Sequence, residues 1–113
     1  VWQLATEIRR LADAARSGKA TSAELSGSTL TLTSLGPLGG IATTPVINRP
    51  EVAIIGPNRV IERPMFRGKE IVAAKLMNLS ISCDHRVVDG WDAASFVQAV
   101  RKLLETPVLL FEG

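Results

Sequence analysis

The run Asp84-His85-Arg86-Val87-Val88-Asp89-Gly90 holds the only histidine of the chain, with an aspartate four residues on and a glycine behind it. Histidine is the side chain whose ordinary pKa, about 6.5, lets it take and return a proton near neutral pH. A carboxylate close behind it can fix the imidazole tautomer and orient the ring, and the glycine permits a tight backbone turn. The two β-branched valines between the polar residues predict extended or looped chain leaving a buried strand. Cys83, directly before the run, is the only thiol. It reads as a small strand residue in preference to a nucleophile, and a lone cysteine excludes an intrachain disulfide and fits a reducing compartment.

The elements that position this segment follow from periodicity. Leu4, Ile8, Leu11, Ala12 and Ala15 recur at helical spacing, with Glu7, Arg9, Arg10, Asp13 and Arg16 off the stripe, so an amphipathic helix covering a sheet is expected, stopping at Gly18. Residues 28–33 alternate leucine and hydroxyl, which predicts a strand with one face in a core and the other lining something polar or a neighbouring subunit. The glycine-rich loop 34–40 lacks the lysine of a nucleotide-binding P-loop. Short strands are expected over 43–48 and 51–55. A hairpin is expected from 58–66 and 70–82, turning at Arg67-Gly68-Lys69. A final helix runs from Trp91 to Glu105 with Ala93, Val97, Val100 and Leu104 buried, ended by Pro107. No linker or repeat divides the chain.

With 113 residues, 46% apolar residues and a mean hydropathy of +0.21, there is material for one compact domain or a portion of a larger one. The absence of an initiator methionine and a helical pattern that begins at once suggest a fragment. No apolar run approaches the roughly 20 residues of a membrane-spanning helix, and no signal peptide is visible. The net charge of +2 is dispersed. Without a Lys/Arg block interleaved with aromatics, a nucleic-acid partner is not expected. A metal site from Asp84, His85 and Asp89 ranks low, because no second histidine or cysteine pair stands at ligand spacing.

Three segments in order, Leu30 to Gly36, Pro45 to Ile54 and Asp84 to Gly90, resemble the C-terminal catalytic domain of dihydrolipoyl acyltransferases, the core components of 2-oxo acid dehydrogenase complexes. The resemblance covers nearly the whole chain, and the run from Asn78 to Phe111 is most similar to the bacterial branched-chain type. It implies an α/β (α+β) fold, a mixed β-sheet flanked by helices related to chloramphenicol acetyltransferase, of which residues 1–113 form the C-terminal half. It also implies an enzyme moving acyl groups between dihydrolipoamide and coenzyme A, with coenzyme A as substrate, the lipoyl group on a separate domain and no metal. The complex it implies is the branched-chain one, with a pyruvate or 2-oxoglutarate complex acyltransferase, or an inactive trimer or core assembly fragment, as the alternatives. The implied partners are a homotrimer building a larger core, with active sites between subunits, and the decarboxylase and dihydrolipoyl dehydrogenase components, with no nucleic acid or membrane. The implied location is the cytoplasm of a bacterium, or the mitochondrial matrix in a eukaryote.

The resemblance assigns roles residue by residue. His85 is the general base for the attacking thiol and Thr33 the hydroxyl donor to the thioester oxyanion, with Ser34 its neighbour and rival by one step of register. Asp89 falls where the family has Asp or Asn, a position suited to holding local geometry, paired in related acetyltransferases with an arginine outside these residues. Asp84 and Arg86 are expected to make turn and ion-pair contacts. Asn48 and Arg49, with Ser34, are the candidate coenzyme A contacts, Arg49 toward a phosphate.

Overall fold

The computed structural model describes residues 1–111. In chain order the elements are α1 (Trp2–Arg16), β1 (Thr31–Leu32), β2 (Ala53–Pro57), β3 (Ile61–Arg67), β4 (Glu70–Leu76), β5 (Leu79–Cys83) and α2 (Gly90–Glu105), with 3-10 turns at Gly36–Leu38 and Pro107–Phe111. β2 is the centre of a mixed sheet, with β1 parallel on one edge and β5 antiparallel on the other. Its Ala-Ile-Ile sequence is a continuous apolar run, as a strand covered on both faces requires. Ile54 and Ile55, 5% and 4% exposed, form the core together with Ala93 of α2, and α2 packs on β5.

β3 and β4 pair as a separate antiparallel hairpin. Its turn is at Gly68, whose φ of +65° is a conformation that glycine adopts without the penalty of a Cβ. The expected second arm over 70–82 is in fact two strands. The chain leaves the hairpin after Leu76, and Leu79–Cys83 pairs with β2 instead. Asparagines set the break: Asn78 C=O accepts from the Asn58 backbone N–H at 3.0 Å and from Asn58 Nδ2 at 3.1 Å, while Asn78 Nδ2 donates to Ile41 C=O at 2.9 Å. Residues 43–48 form no strand, and Glu51 precedes β2 without joining its ladder.

Three expectations about faces are corrected. The first helix forms and its chain turns at Gly18, φ +69°, but α1 covers no strand: it packs against none among the described residues, and Leu4 and Ile8 remain 67% and 66% exposed. Its tether is polar, Arg10 Nη2 bridging Glu7 and Glu24. In the 28–33 segment only Thr31 and Leu32 are strand; Thr31 and Thr33 are half-buried and Leu32 is exposed. The hydroxyl face therefore turns inward there, because Thr31 Oγ1 donates to the buried Glu51 carboxylate at 2.6 Å. In α2 only Ala93 of the expected buried stripe is buried; Val97 and Val100 are half-buried and Leu104 is exposed.

The accessible surface is 9335 Å², against about 6,000 Å² for a compact folded monomer of this mass. The radius of gyration, 16.7 Å, likewise exceeds the roughly 13 Å of a compact domain of this length. No described side chain falls below 2% exposure. The chain presents finished backbone with apolar faces left for other chain to cover.

Candidate active site

His85 sits on a turn built almost wholly from its own neighbours. Asp84 N–H donates to Val52 C=O at 2.8 Å, one last rung beyond β5. The Asp84 carboxylate then folds forward over the next peptide, Oδ1 accepting the Arg86 N–H at 3.0 Å. Asp84 C=O accepts from Val87 and Val88 N–H at 3.0 and 2.9 Å. The Arg86 guanidinium grips the same carboxylate through Nε and Nη2, the latter at 2.7 Å from Oδ2. That guanidinium, with the Arg86 N–H and the more distant charge of Arg49, holds the Asp84 carboxyl down to about 2. The expected turn and ion-pair roles of Asp84 and Arg86 are thus visible as bonds. His85 is exposed at the apex.

Asp89 closes the segment as the N-cap of α2, its Oδ1 accepting from Asp92 N–H at 2.8 Å. An aspartate cap satisfies one of the free N–H groups of the first turn and lays negative charge at the positive end of the helix. The carboxylate is thus placed as a helix cap through Oδ1, in keeping with a residue that holds local geometry. Cys83 is a half-buried β5 residue opposite Ala53.

Thr33 is at the other end of β2. Its N–H donates to Ile55 C=O at 2.9 Å, three residues along from the Val52 rung that anchors Asp84, or roughly 10 Å at the rise of a strand. It lines an open cleft of about 270 Å³ with Ser34, Gly36, Thr43, Asn58 and Arg59 among others. Ser34 is in the cleft too, its Oγ accepting from Gly36 N–H at 3.1 Å while its own O–H stays free to donate. Asn48 and Arg49 do not line this cleft. Asn48 C=O accepts from Glu51 N–H at 2.9 Å, and the charge of Arg49 acts on Asp84. The structure therefore gathers Thr33 with Ser34, places Arg49 toward the His85 end, and brings neither group of residues to the other.

Sequence reasoning missed Asn58, Thr43 and Glu51. Asn58 is 7% exposed, its Nδ2 donating to Gly56 C=O, Asn78 C=O and Ser80 Oγ at 3.2, 3.1 and 2.9 Å. Its Oδ1 and Thr43 Oγ1 are buried without a partner among the described residues. Glu51 is 6% exposed; the Thr31 hydroxyl on Oε2 first, then the nearby polar side chains of Ser28 and Asn48, hold its pKa below the ordinary range, while Oε1 has no hydrogen-bond partner among the described residues. A polar residue in an apolar strand exit, Pro57-Asn58-Arg59, was the available signal for Asn58. Among the described residues no three His, Cys, Asp or Glu side chains gather as a metal site, and no helix is long and apolar enough to cross a membrane.

Mixed sheet, histidine turn and threonine cleft fit one class, and the comparison is direct: the chain belongs to the 2-oxoacid dehydrogenase acyltransferase (catalytic domain) family, whose model matches residues 1–112. It is 68% identical over 111 residues to the lipoamide acyltransferase component of the branched-chain alpha-keto acid dehydrogenase complex of Pseudomonas aeruginosa, covering 98% of this chain and 26% of that protein. A solved dihydrolipoamide acetyltransferase of Azotobacter vinelandii, studied for a serine, a histidine and an asparagine in its catalytic mechanism, superimposes with a TM-score of 0.85 at 43% identity, over 90% of this chain and 42% of that one. The cubic core of a pyruvate dehydrogenase multienzyme complex gives 0.85 at 42% identity with the same coverage. The acyltransferase fold is therefore established. The chain spans about a quarter of the length of the curated relatives it matches.

Proposed function

We propose that residues 1–113 are the C-terminal half of the catalytic domain of a lipoamide acyltransferase, moving an acyl group between dihydrolipoamide and coenzyme A in a branched-chain 2-oxo acid dehydrogenase complex. The observation that carries this reading is spacing. In the Azotobacter enzyme the studied serine lies fifty-two residues before the histidine and the asparagine four after it; Thr33, His85 and Asp89 stand at the same separations here. The same spacing favours Thr33 over Ser34. Identity to the Pseudomonas branched-chain component, 68%, supports the branched-chain assignment over a pyruvate complex, whose Staphylococcus epidermidis acetyltransferase is 44% identical.

In this reaction a substrate thiol gives its proton to the imidazole of His85 acting as general base, and the thiolate so formed is the nucleophile. The thiolate attacks the thioester carbonyl, and the Thr33 hydroxyl donates to the oxygen as it becomes negative. Collapse expels the second sulfur, which takes the proton back from His85. Thr33 and His85 stand at opposite ends of β2 in one chain, and in this reading the site that uses both lies between subunits of a trimer. The excess surface supports a chain covered by further protein. Arg49 and Asn48 remain the proposed coenzyme A contacts outside the cleft. Decarboxylase and dihydrolipoyl dehydrogenase partners and a cytoplasmic location belong to the same reading.

The test is His85→Ala in the full-length parent. Acyl transfer falls by roughly 100-fold or more while trimers persist by sedimentation. Near-normal turnover in assembled mutant protein would falsify the base assignment.

A further inference from the structure

We propose that Asp84 is the positioning residue for His85, and that it acts through the geometry of one hydrogen bond and not through its charge. This rests on His85 being the base. The carboxylate Oδ1 accepts the Arg86 N–H at 3.0 Å, closing a ring of backbone and side chain that has the His85 residue as its middle member. Two further bonds, Val87 and Val88 N–H to Asp84 C=O, close the same turn from the other side. The start of the turn is fixed by the Asp84 N–H on Val52 C=O at 2.8 Å, and its end by Asp89 capping α2. His85 itself is exposed at the apex. Its direction is thus set by the backbone on either side of it, and Asp84 supplies the side-chain bond that spans it. Arg86 adds an ion pair to the same carboxylate from a side chain 83% exposed. An exposed ion pair contributes little by itself, whereas a displacement of about 1 Å at a reacting group can cost about 100-fold in rate.

Charge and geometry separate cleanly in two substitutions. Asp84→Asn keeps an Oδ1 acceptor at the same reach and discards the charge. Asp84→Glu keeps the charge and moves the acceptor one methylene too far to close the ring. In the full-length trimeric parent, Asp84→Glu is expected to lower kcat about 10- to 100-fold with the KM for coenzyme A within about twofold. Asp84→Asn is expected to stay within about threefold of wild type and to retain the wild-type pH profile of kcat. The reverse order, Asn damaging and Glu tolerated, overturns the proposal, because the ion pair is then the working part. So does a pair of variants that both keep wild-type kcat, or a loss that appears in KM alone. If Asp84→Glu does not assemble, the near-wild-type kcat and profile of Asp84→Asn decide alone, and their loss overturns it. His85→Ala run alongside separates the two readings: normal turnover there removes the base, while an inactive His85→Ala beside an unaffected Asp84→Glu removes only the positioning role.

Discussion

At the Val52 end of β2, the polar groups that shape the turn find partners within a few residues: Asp84 with Arg86, Val87 and Val88, and Asp89 with Asp92. At the Gly56 end the partners come from far along the chain. Thr33, Thr43, Asn58 and Ser80 meet there, and two of their buried polar atoms, Thr43 Oγ1 and Asn58 Oδ1, are left without a bond. The histidine turn itself is closed within this chain, although Glu51 Oε1 beside Val52 is also buried without a partner among the described residues. The Gly56 end is a half-built wall, and a buried acceptor without a donor costs about 1–3 kcal/mol until something pairs with it. On the proposed reading, His85 as proton carrier is held by local chemistry, while the Thr33 hydroxyl needs the rest of the domain around it.

The largest effect expected from that contrast is complete loss. A polypeptide limited to residues 1–113 should show no acyl transfer, because Thr33 and His85 lie at opposite ends of β2 and the Thr33 cleft is open. It should also self-associate, since Trp2, Leu38, Trp91 and Phe111 are each more than 75% exposed and apolar patches of this extent seldom stay solvated. Sedimentation and a coenzyme A-dependent assay check both. A stable monomer that turns over would make the catalytic unit smaller than this reading holds.

Next in size is the oxyanion donor. Thr33→Ala in the parent should lower kcat by about 10²- to 10³-fold with the KM for coenzyme A nearly unchanged, and Thr33→Ser should be mild. Ser34→Ala should cost much less, because the proposed reading assigns the donor to Thr33 and the Ser34 Oγ accepts only a bond of its own loop, from Gly36 N–H. Steady-state kinetics of the three variants decide it; if Ser34→Ala is the damaging one, the strand register assigned to the donor is off by one residue.

The same local-versus-distant division explains what could be read from sequence. Histidine turn, helix α2 and the hairpin turn at Gly68 are short-range features, and residue types at fixed spacing specify them. Family resemblance added the role of Thr33 because the motif around it is contiguous. What escaped was long-range: that β5 leaves the hairpin for β2, that Asn58 reaches Asn78 and Ser80, that Glu51 takes the Thr31 hydroxyl. No periodicity marks which of two apolar strands a third will join. The burial of Leu4 and Ile8 was misread for a different reason. An amphipathic stripe states that a helix will be covered, not by which chain.

The smallest effect tests the Gly56 end by packing alone. Gly56 is buried in β2, and a Cβ there would lie 2.7 Å from Thr43 Oγ1, but no closer than 3.6 Å to the next atoms, Thr33 C=O and Thr33 Cγ2. Gly56→Ala should therefore push the Thr43 side chain aside and destabilise the catalytic core by about 1–3 kcal/mol, as overpacking does. Thr43→Ala should be close to neutral, because the hydroxyl it removes is buried and unpartnered and the backbone bond from Thr43 N–H to Ser80 Oγ is kept. Combined, the two changes should not add. With Oγ1 gone the alanine at 56 meets only ordinary contacts, and alanine in a strand is favoured over glycine by about 0.5–1 kcal/mol. The double variant should then match or slightly exceed wild type, an interaction energy measurable by urea unfolding of the four proteins. Simple additivity would mean that the hydroxyl is not what fills the space over Gly56, and that the cleft wall beside Thr33 is packed by something else.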